Sequence, residues 1–124
     1  MRKLILKKCK KCKALVKVIN DCNCDNCGIK CCGEEMIEIK PNEVDASFEK
    51  HIPTYEVDSE NLIVSVNHVM DNDHFIEWVA FITEDSEEYK FFNPGEECKV
   101  SFKYSKGTLY SYCNKHLLWM SEIK

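Results

Sequence analysis

Seven of the nine cysteines in this chain crowd between Cys9 and Cys32, and the other two, Cys98 and Cys113, stand far downstream. An odd number cannot all pair internally, so sulfur has at least two uses here. The crowding also constrains folding. A segment of some 40 residues buries too little apolar surface to hold itself together and needs a covalent or metal staple. The remainder of the 124 residues is the size of one ordinary domain. At 44% hydrophobic and 31% charged residues, with four glycines and three prolines, the chain is neither collagenous, low-complexity nor wholly disordered.

What the cysteines do depends on compartment. No apolar run approaches the roughly 20 residues of a membrane helix; the longest near Trp78 is Trp78-Val79-Ala80-Phe81-Ile82. The basic start, Met1 to Lys8, contains only Leu4-Ile5-Leu6 as an apolar stretch, too short for a secretory signal. A cytoplasmic, reducing setting is the expectation, and there clustered cysteines are metal ligands more often than disulfides.

Charge divides the chain at the same place as sulfur. Residues 1–40 hold ten Lys/Arg against five Asp/Glu, whereas residues 41–124 hold seven against sixteen, a balance of +5 followed by −9. The basic part invites a nucleic-acid reading. However, Lys7, Lys8, Lys10, Lys11 and Lys13 surround Cys9 and Cys12, and metal-bound thiolates leave negative charge to offset. With an acidic second part, no nucleic-acid partner is expected.

The hydrophobic pattern is strand-like almost throughout. Leu4–Leu6, Ala14–Ile19 and Met36–Ile39 flank the cysteines, and Lys40-Pro41-Asn42 reads as a linker, which sets domains at 1–40 and 41–124. Seven strands are expected in the second: Thr54–Val57, Leu62–Val66, Phe75–Thr83, Glu88–Phe92, Lys99–Tyr104, Thr108–Tyr112 and Leu118–Ile123. Asn93-Pro94-Gly95 and Ser105-Lys106-Gly107 supply turns. Short strands at this spacing predict an antiparallel immunoglobulin-like β-sandwich.

Cys9-Lys10-Lys11-Cys12 is a C-x-x-C, whose tight turn aims two sulfurs at one ion. The adjacent pair Cys31-Cys32 offers two more thiolates if its backbone is distorted, and Gly33 beside it tolerates distortion. A second C-x-x-C, Cys24 to Cys27, completes an ordinary zinc ribbon equally well, with Cys22 nearby. Spacing does not choose between these sets, nor between zinc and iron.

All four histidines lie in the second part, at the ends of expected strands or in loops: His51, His68, His74 and His116. His68 continues the inward face of Leu62, Val64 and Val66, and Cys113-Asn114-Lys115-His116 is a C-x-x-H with metal-ligand spacing. Strand ends gather at the poles of a sandwich, so several imidazoles can converge on one rim. Imidazoles with one thiolate suit redox-active iron or copper better than a closed zinc site. Cys98 falls on the Val100/Phe102 face and reads as a small core residue.

These residues, in this order, resemble the desulfoferrodoxins, the two-iron superoxide reductases. The resemblance spans nearly the whole chain. It is carried by Cys9-x-x-Cys12, Cys31-Cys32-Gly33-Glu34, Glu49-Lys50-His51-Ile52-Pro53, Asn67-His68, His74-Phe75-Ile76-Glu77-Trp78, Tyr112-Cys113-Asn114-Lys115-His116 and Leu118-Trp119. It departs from the family in two places. Lys13 stands where a glycine usually follows the C-x-x-C, and the cysteine-rich Asp21–Cys27 replaces a glycine-rich connection.

The resemblance implies a desulforedoxin-like module with a first iron on Cys9, Cys12, Cys31 and Cys32, zinc being the alternative metal. It implies a second iron with His51, His68, His74 and His116 around it, Cys113 as axial thiolate and an open position opposite. The implied reaction takes superoxide, one electron and two protons to hydrogen peroxide without releasing dioxygen. Lys50 would steer the anion, and Glu49 would be the carboxylate that fills the sixth position of the oxidised iron. A rubredoxin-like electron donor and a homodimer are also implied. The rival readings are a non-catalytic zinc-ribbon and β-sandwich binding module, and an iron electron carrier.

Overall fold

The computed structural model describes residues 2–24, 28–44 and 46–123. The chain forms two compact units, Lys3–Lys40 and a second that begins at Pro41 and includes Arg2.

In the first unit, β1 (Leu6–Lys8) is the centre of a three-stranded antiparallel sheet. Its neighbours are β2 (Leu15–Lys17) and, through a later return of the chain, β5 (Ile37–Ile39). Between them lies a short hairpin of β3 (Lys30–Cys31) and β4 (Glu34–Glu35). Among the described residues of this unit, only Leu4, Leu6, Cys9 and Val18 are buried hydrophobics. So small a core needs help from another bond. Two of the lysines around the cysteines are paired with carboxylates, Lys7 with Asp21 at 3.0 Å and Lys11 with Glu34 at 3.4 Å.

The second unit opens with a 3-10 turn, Phe48–Lys50, and has seven strands among its described residues. These are β6 (Thr54–Asp58), β7 (Asn61–Ser65), β8 (Ile76–Ile82), β9 (Glu87–Phe91), β10 (Lys99–Lys103), β11 (Gly107–Cys113) and β12 (Leu117–Ile123). One sheet has the order β10-β7-β6 and the other β12-β11-β8-β9, all antiparallel. This is the sandwich expected from the period-two pattern. Leu62, Val64, Phe81, Phe102, Leu109 and Ile123 interlock in its core, with the Phe81 and Phe102 rings 5.4 Å apart. Cys98 is buried in that cluster as a packing residue.

Pairing of β11 with β8 breaks register once. Tyr112 opposes Trp78, but Cys113 opposes Ile76, which leaves Glu77 without a partner on β11. An extra residue reverses which face the preceding side chains point to. Ile76 therefore joins Val79 and Phe81 in the core, although strict alternation separates them.

Two candidate metal centres

The bulge matters because His74 lies two residues before Ile76 and so shares its inward direction. His74 is closed into a tight loop by paired backbone bonds to Asp71 of 3.0 and 3.3 Å. His68 follows β7, two residues beyond the buried Val66. His51 follows the 3-10 turn. Cys113 ends β11, and His116 lies in the three-residue connection to β12, closed by Leu117 at φ 63°. One ligand atom from each of His51, His68, His74, Cys113 and His116 lies within 4.8 Å of all the others.

The four rings form a closed cycle. Centroids are 4.7 Å apart for His51–His68, 4.6 Å for His68–His74, 5.1 Å for His74–His116 and 4.8 Å for His116–His51. Neighbouring planes meet edge to face, at 68° to 90°. Cys113 Sγ is 3.5 Å from His68 Nε2 and 3.9 Å from His116 Nδ1. His51 Nε2 and His116 Nδ1 are 3.0 Å apart. That is the separation of adjacent donors on a metal with bonds of about 2.1 Å, and opposite donors would then be about 4.2 Å apart.

Backbone carbonyls decide which nitrogens are free. His51 Nδ1–H donates to the Ser47 carbonyl at 2.6 Å, and His68 Nδ1–H to the Val69 carbonyl at 2.5 Å. A nitrogen that faces a carbonyl must carry the proton, so each Nε2 presents a bare lone pair. His74 Nε2 is buried and has no hydrogen-bond partner among the described residues. A metal ion satisfies that nitrogen where no protein group does. Burial holds His51, His68 and His74 below the ordinary histidine value, which favours the neutral, ligating form. Burial pushes the Cys113 thiol up, partly offset by the His116 and Lys115 amides that donate to its sulfur. A cation bound at the sulfur reverses that balance.

Asn114 ties two of these loops together. Its Oδ1 accepts from Phe75 N at 3.0 Å and its Nδ2 donates to the Asp73 carbonyl at 2.9 Å. Lys115 Nζ lies 4.0 Å from Asp73 as an exposed pair. Spacing arguments miss Ser47 and Val69, which act through carbonyls that any residue has, and they give the asparagine inside the C-x-x-H no role of its own. Glu49 and Lys50 are exposed on the 3-10 turn next to His51. Glu49 does not join the five-donor group.

In the first unit, Cys9, Cys12, Cys31 and Cys32 form a second group of converging donors. Cys12 Sγ is 3.6 Å from Cys31 Sγ, which is 3.9 Å from Cys32 Sγ. A tetrahedron with metal–sulfur bonds of about 2.3 Å has edges of about 3.8 Å, so the donor set fits one zinc or iron. The distorted backbone expected of an adjacent cysteine pair is present as Cys32 at φ 54° and Gly33 at φ 77°. The Cys12 amide, 3.5 Å from Cys9 Sγ, is the chief reason that this thiol is lowered to about 6. Cys31, hemmed in by the Cys12, Cys9 and Cys32 thiols, is pushed up to about 12. Such crowding disfavours a second thiolate until a cation is present. In the rival ribbon set, Cys24 is disulfide-bonded and Cys27 lies outside the described residues.

No helix among the described residues is long and apolar enough to cross a membrane. The sequence profile of the desulfoferrodoxin family matches residues 43–122. A desulfoferrodoxin from Syntrophotalea carbinolica is 35% identical, over 97% of this chain and 97% of its own. One from Clostridium acetobutylicum is 36% identical over 77% of this chain and 79% of its own. The crystal structure of the superoxide reductase from Treponema pallidum superposes with a TM-score of 0.73 at 25% identity, covering 97% of this chain and 99% of that one. Profile, relatives and the two donor sets agree, and the chain belongs to the desulfoferrodoxin family.

Proposed function

We propose that this chain is a superoxide reductase, which converts superoxide, one electron and two protons to hydrogen peroxide without releasing dioxygen. The observation that carries the reading is the five-donor group of His51, His68, His74, His116 and Cys113. A structural zinc site is filled by four ligands, whereas four imidazoles and a thiolate suit redox-active iron and would leave it room for a substrate. Iron bound there supplies the electron that superoxide takes up.

The protein's own contributions follow from charge and hydrogen bonding. His51 and His68 are locked as neutral donors by the carbonyls of Ser47 and Val69. Neutral imidazoles would leave a bound iron cationic, which would favour an anion, and the Cys113 thiolate would supply electron density to it. Lys50, exposed beside His51, attracts superoxide to a region whose balance over residues 41–124, Lys50 included, is −9. It also orders the water from which protons come. Glu49, exposed on the same turn, would be the carboxylate available to a bound iron in the oxidised protein.

The unit Lys3–Lys40 is then an iron-binding domain, with Cys9, Cys12, Cys31 and Cys32 holding an iron that has no open position, zinc being the alternative. Four thiolates saturate a tetrahedral ion, so this iron would not react with superoxide directly, and its role is largely structural, with electron relay as the alternative. The unit from Pro41 onward is the catalytic domain, a division supported by the family profile, which begins at residue 43. A rubredoxin-like donor and a homodimer complete the proposal. The test is metal analysis with visible and electron paramagnetic resonance spectra on anaerobically purified protein, followed by superoxide consumption with peroxide and dioxygen measured together. The expected result is two irons and one peroxide per superoxide, with no dioxygen. Colourless, zinc-only protein identifies a binding module instead, and two irons without peroxide formation identify an electron carrier.

A further inference from the structure

Trp119 is fully buried on β12, with 0% of its surface exposed. Its ring stacks on the His51 imidazole, with centroids 4.7 Å apart and planes 23° from parallel. Its Nε1–H donates to the His116 carbonyl at 2.9 Å. One rigid side chain thus touches two donors that are 65 residues apart in sequence. These are the same two whose facing nitrogens, His51 Nε2 and His116 Nδ1, stand 3.0 Å apart. With His51 Nε2 bare, His116 Nδ1–H can donate to it across that distance in the metal-free protein. Loss of this proton leaves two lone pairs at the spacing of adjacent donors on one cation, so the two rings must be held in place while the proton is exchanged for a metal. An indole suits this task. It has two side-chain torsions, a large flat face and one donor that needs a partner when buried.

The neighbouring contacts refer His51 to the same strand pair. Ser111, which is the register partner of Trp119, donates its hydroxyl to the His51 carbonyl at 2.6 Å. The His51 backbone, the His51 ring and the His116 backbone are therefore all set by β11 and β12.

We propose that Trp119 is a positioning residue that presets the His51–His116 edge of the imidazole cycle for the metal. The inference rests on the reading of the five donors as an iron site. It also differs from ordinary core packing. A tryptophan that only fills space contributes to stability alone, whereas one that braces two donors also sets metal affinity and ligand field. Groups that orient first ligands typically change affinity about 10- to 100-fold when removed.

The experiment titrates ferrous iron anaerobically into metal-free full-length protein against a chromophoric chelator. The oxidised forms are then compared by thiolate–iron absorption and electron paramagnetic resonance. Trp119→Phe keeps a stacking ring and loses the donor, and Trp119→Leu loses both. Phe81→Leu trims the core at the Phe81–Phe102 contact as a packing control. The expected result is binding at the five-donor site about 10-fold weaker in Trp119→Phe and about 100-fold weaker in Trp119→Leu, with shifted bands and altered rhombicity in both. Phe81→Leu should lower the unfolding temperature while affinity and spectra stay at the wild-type values. Wild-type affinity and spectra in Trp119→Phe overturn the proposal, as does an equal loss in Phe81→Leu. If Trp119→Leu does not fold, the comparison of Trp119→Phe with Phe81→Leu decides. Failure of the underlying site reading shows separately: wild-type protein would then bind no iron that His116→Ala removes.

Discussion

Lys13 sits at φ 68°, in a left-handed conformation that costs a side-chain-bearing residue about 1–2 kcal/mol. The position takes that conformation where the chain turns back after the C-x-x-C, so that the Ala14 carbonyl accepts from the Cys9 amide at 2.9 Å. Lys13→Gly relieves the strain but adds about 0.5–1 kcal/mol of backbone entropy to the unfolded chain. A net stabilisation of up to about 1 kcal/mol is expected, read from denaturant unfolding followed at the tetrathiolate absorption. Cys98 is the opposite kind of residue, a thiol with no partner metal. Burial pushes it up to about 12, so at pH 8 its thiolate fraction is on the order of one in ten thousand. Iodoacetamide at that pH should label the exposed Cys22 and leave Cys98 unmodified until the protein unfolds, as peptide mapping would show. Lys50→Ala should lower the second-order rate with superoxide about 10-fold and flatten its dependence on ionic strength, with iron spectra unchanged. An unaltered salt dependence in fast-mixing measurements would remove the steering role.

At the scale of elements, the β11–β12 hairpin does most of the positioning. Cys113 and His116 lie at one end of it, and Trp119 and Ser111 face each other a few residues on. At the other end, Gly107 opens β11 where a Cβ would stand 2.5 Å from the Ile82 carbonyl oxygen and 2.8 Å from Phe81 Cε1. Because one of those atoms is backbone, Gly107→Ala forces the strands apart. It should destabilise the sandwich by about 1–3 kcal/mol, measured as a lower thermal midpoint. Since the metal donors lie at the opposite end of β11, thiolate–iron absorption should not change. The seven strands were legible because half-buried strands alternate with a period of two, as Leu62, Val64 and Val66 do. The bulge at Glu77 was not legible. Nothing in Phe75-Ile76-Glu77-Trp78 reveals that one of these residues lacks a partner, because register belongs to the pair of strands.

For the whole molecule, the two units carry separate donor sets and should fail separately. Cys12→Ser removes one of four thiolates from a unit with few buried apolar residues. That unit should lose its iron and its cooperative unfolding transition. The second unit, with its own core, should keep its five-donor iron spectrum and its peroxide-forming activity. Loss of catalysis with that spectrum intact would instead make the first iron an obligatory electron relay.

The chemistry available to this chain follows from its residue types and their spacing. The residue types are enough to specify thiolate and imidazole ligands, the strand period specifies a sandwich, and the C-x-x-C and C-x-x-H spacings bring paired donors together locally. Which donors converge depends on the folded chain. Cys31 and Cys32 meet Cys9 and Cys12 through the folding of a small sheet, and the four imidazoles close into a cycle through a strand bulge and a buried tryptophan. Convergence to within 4.8 Å depends on backbone register and side-chain packing between segments dozens of residues apart, and neither is written in local spacing.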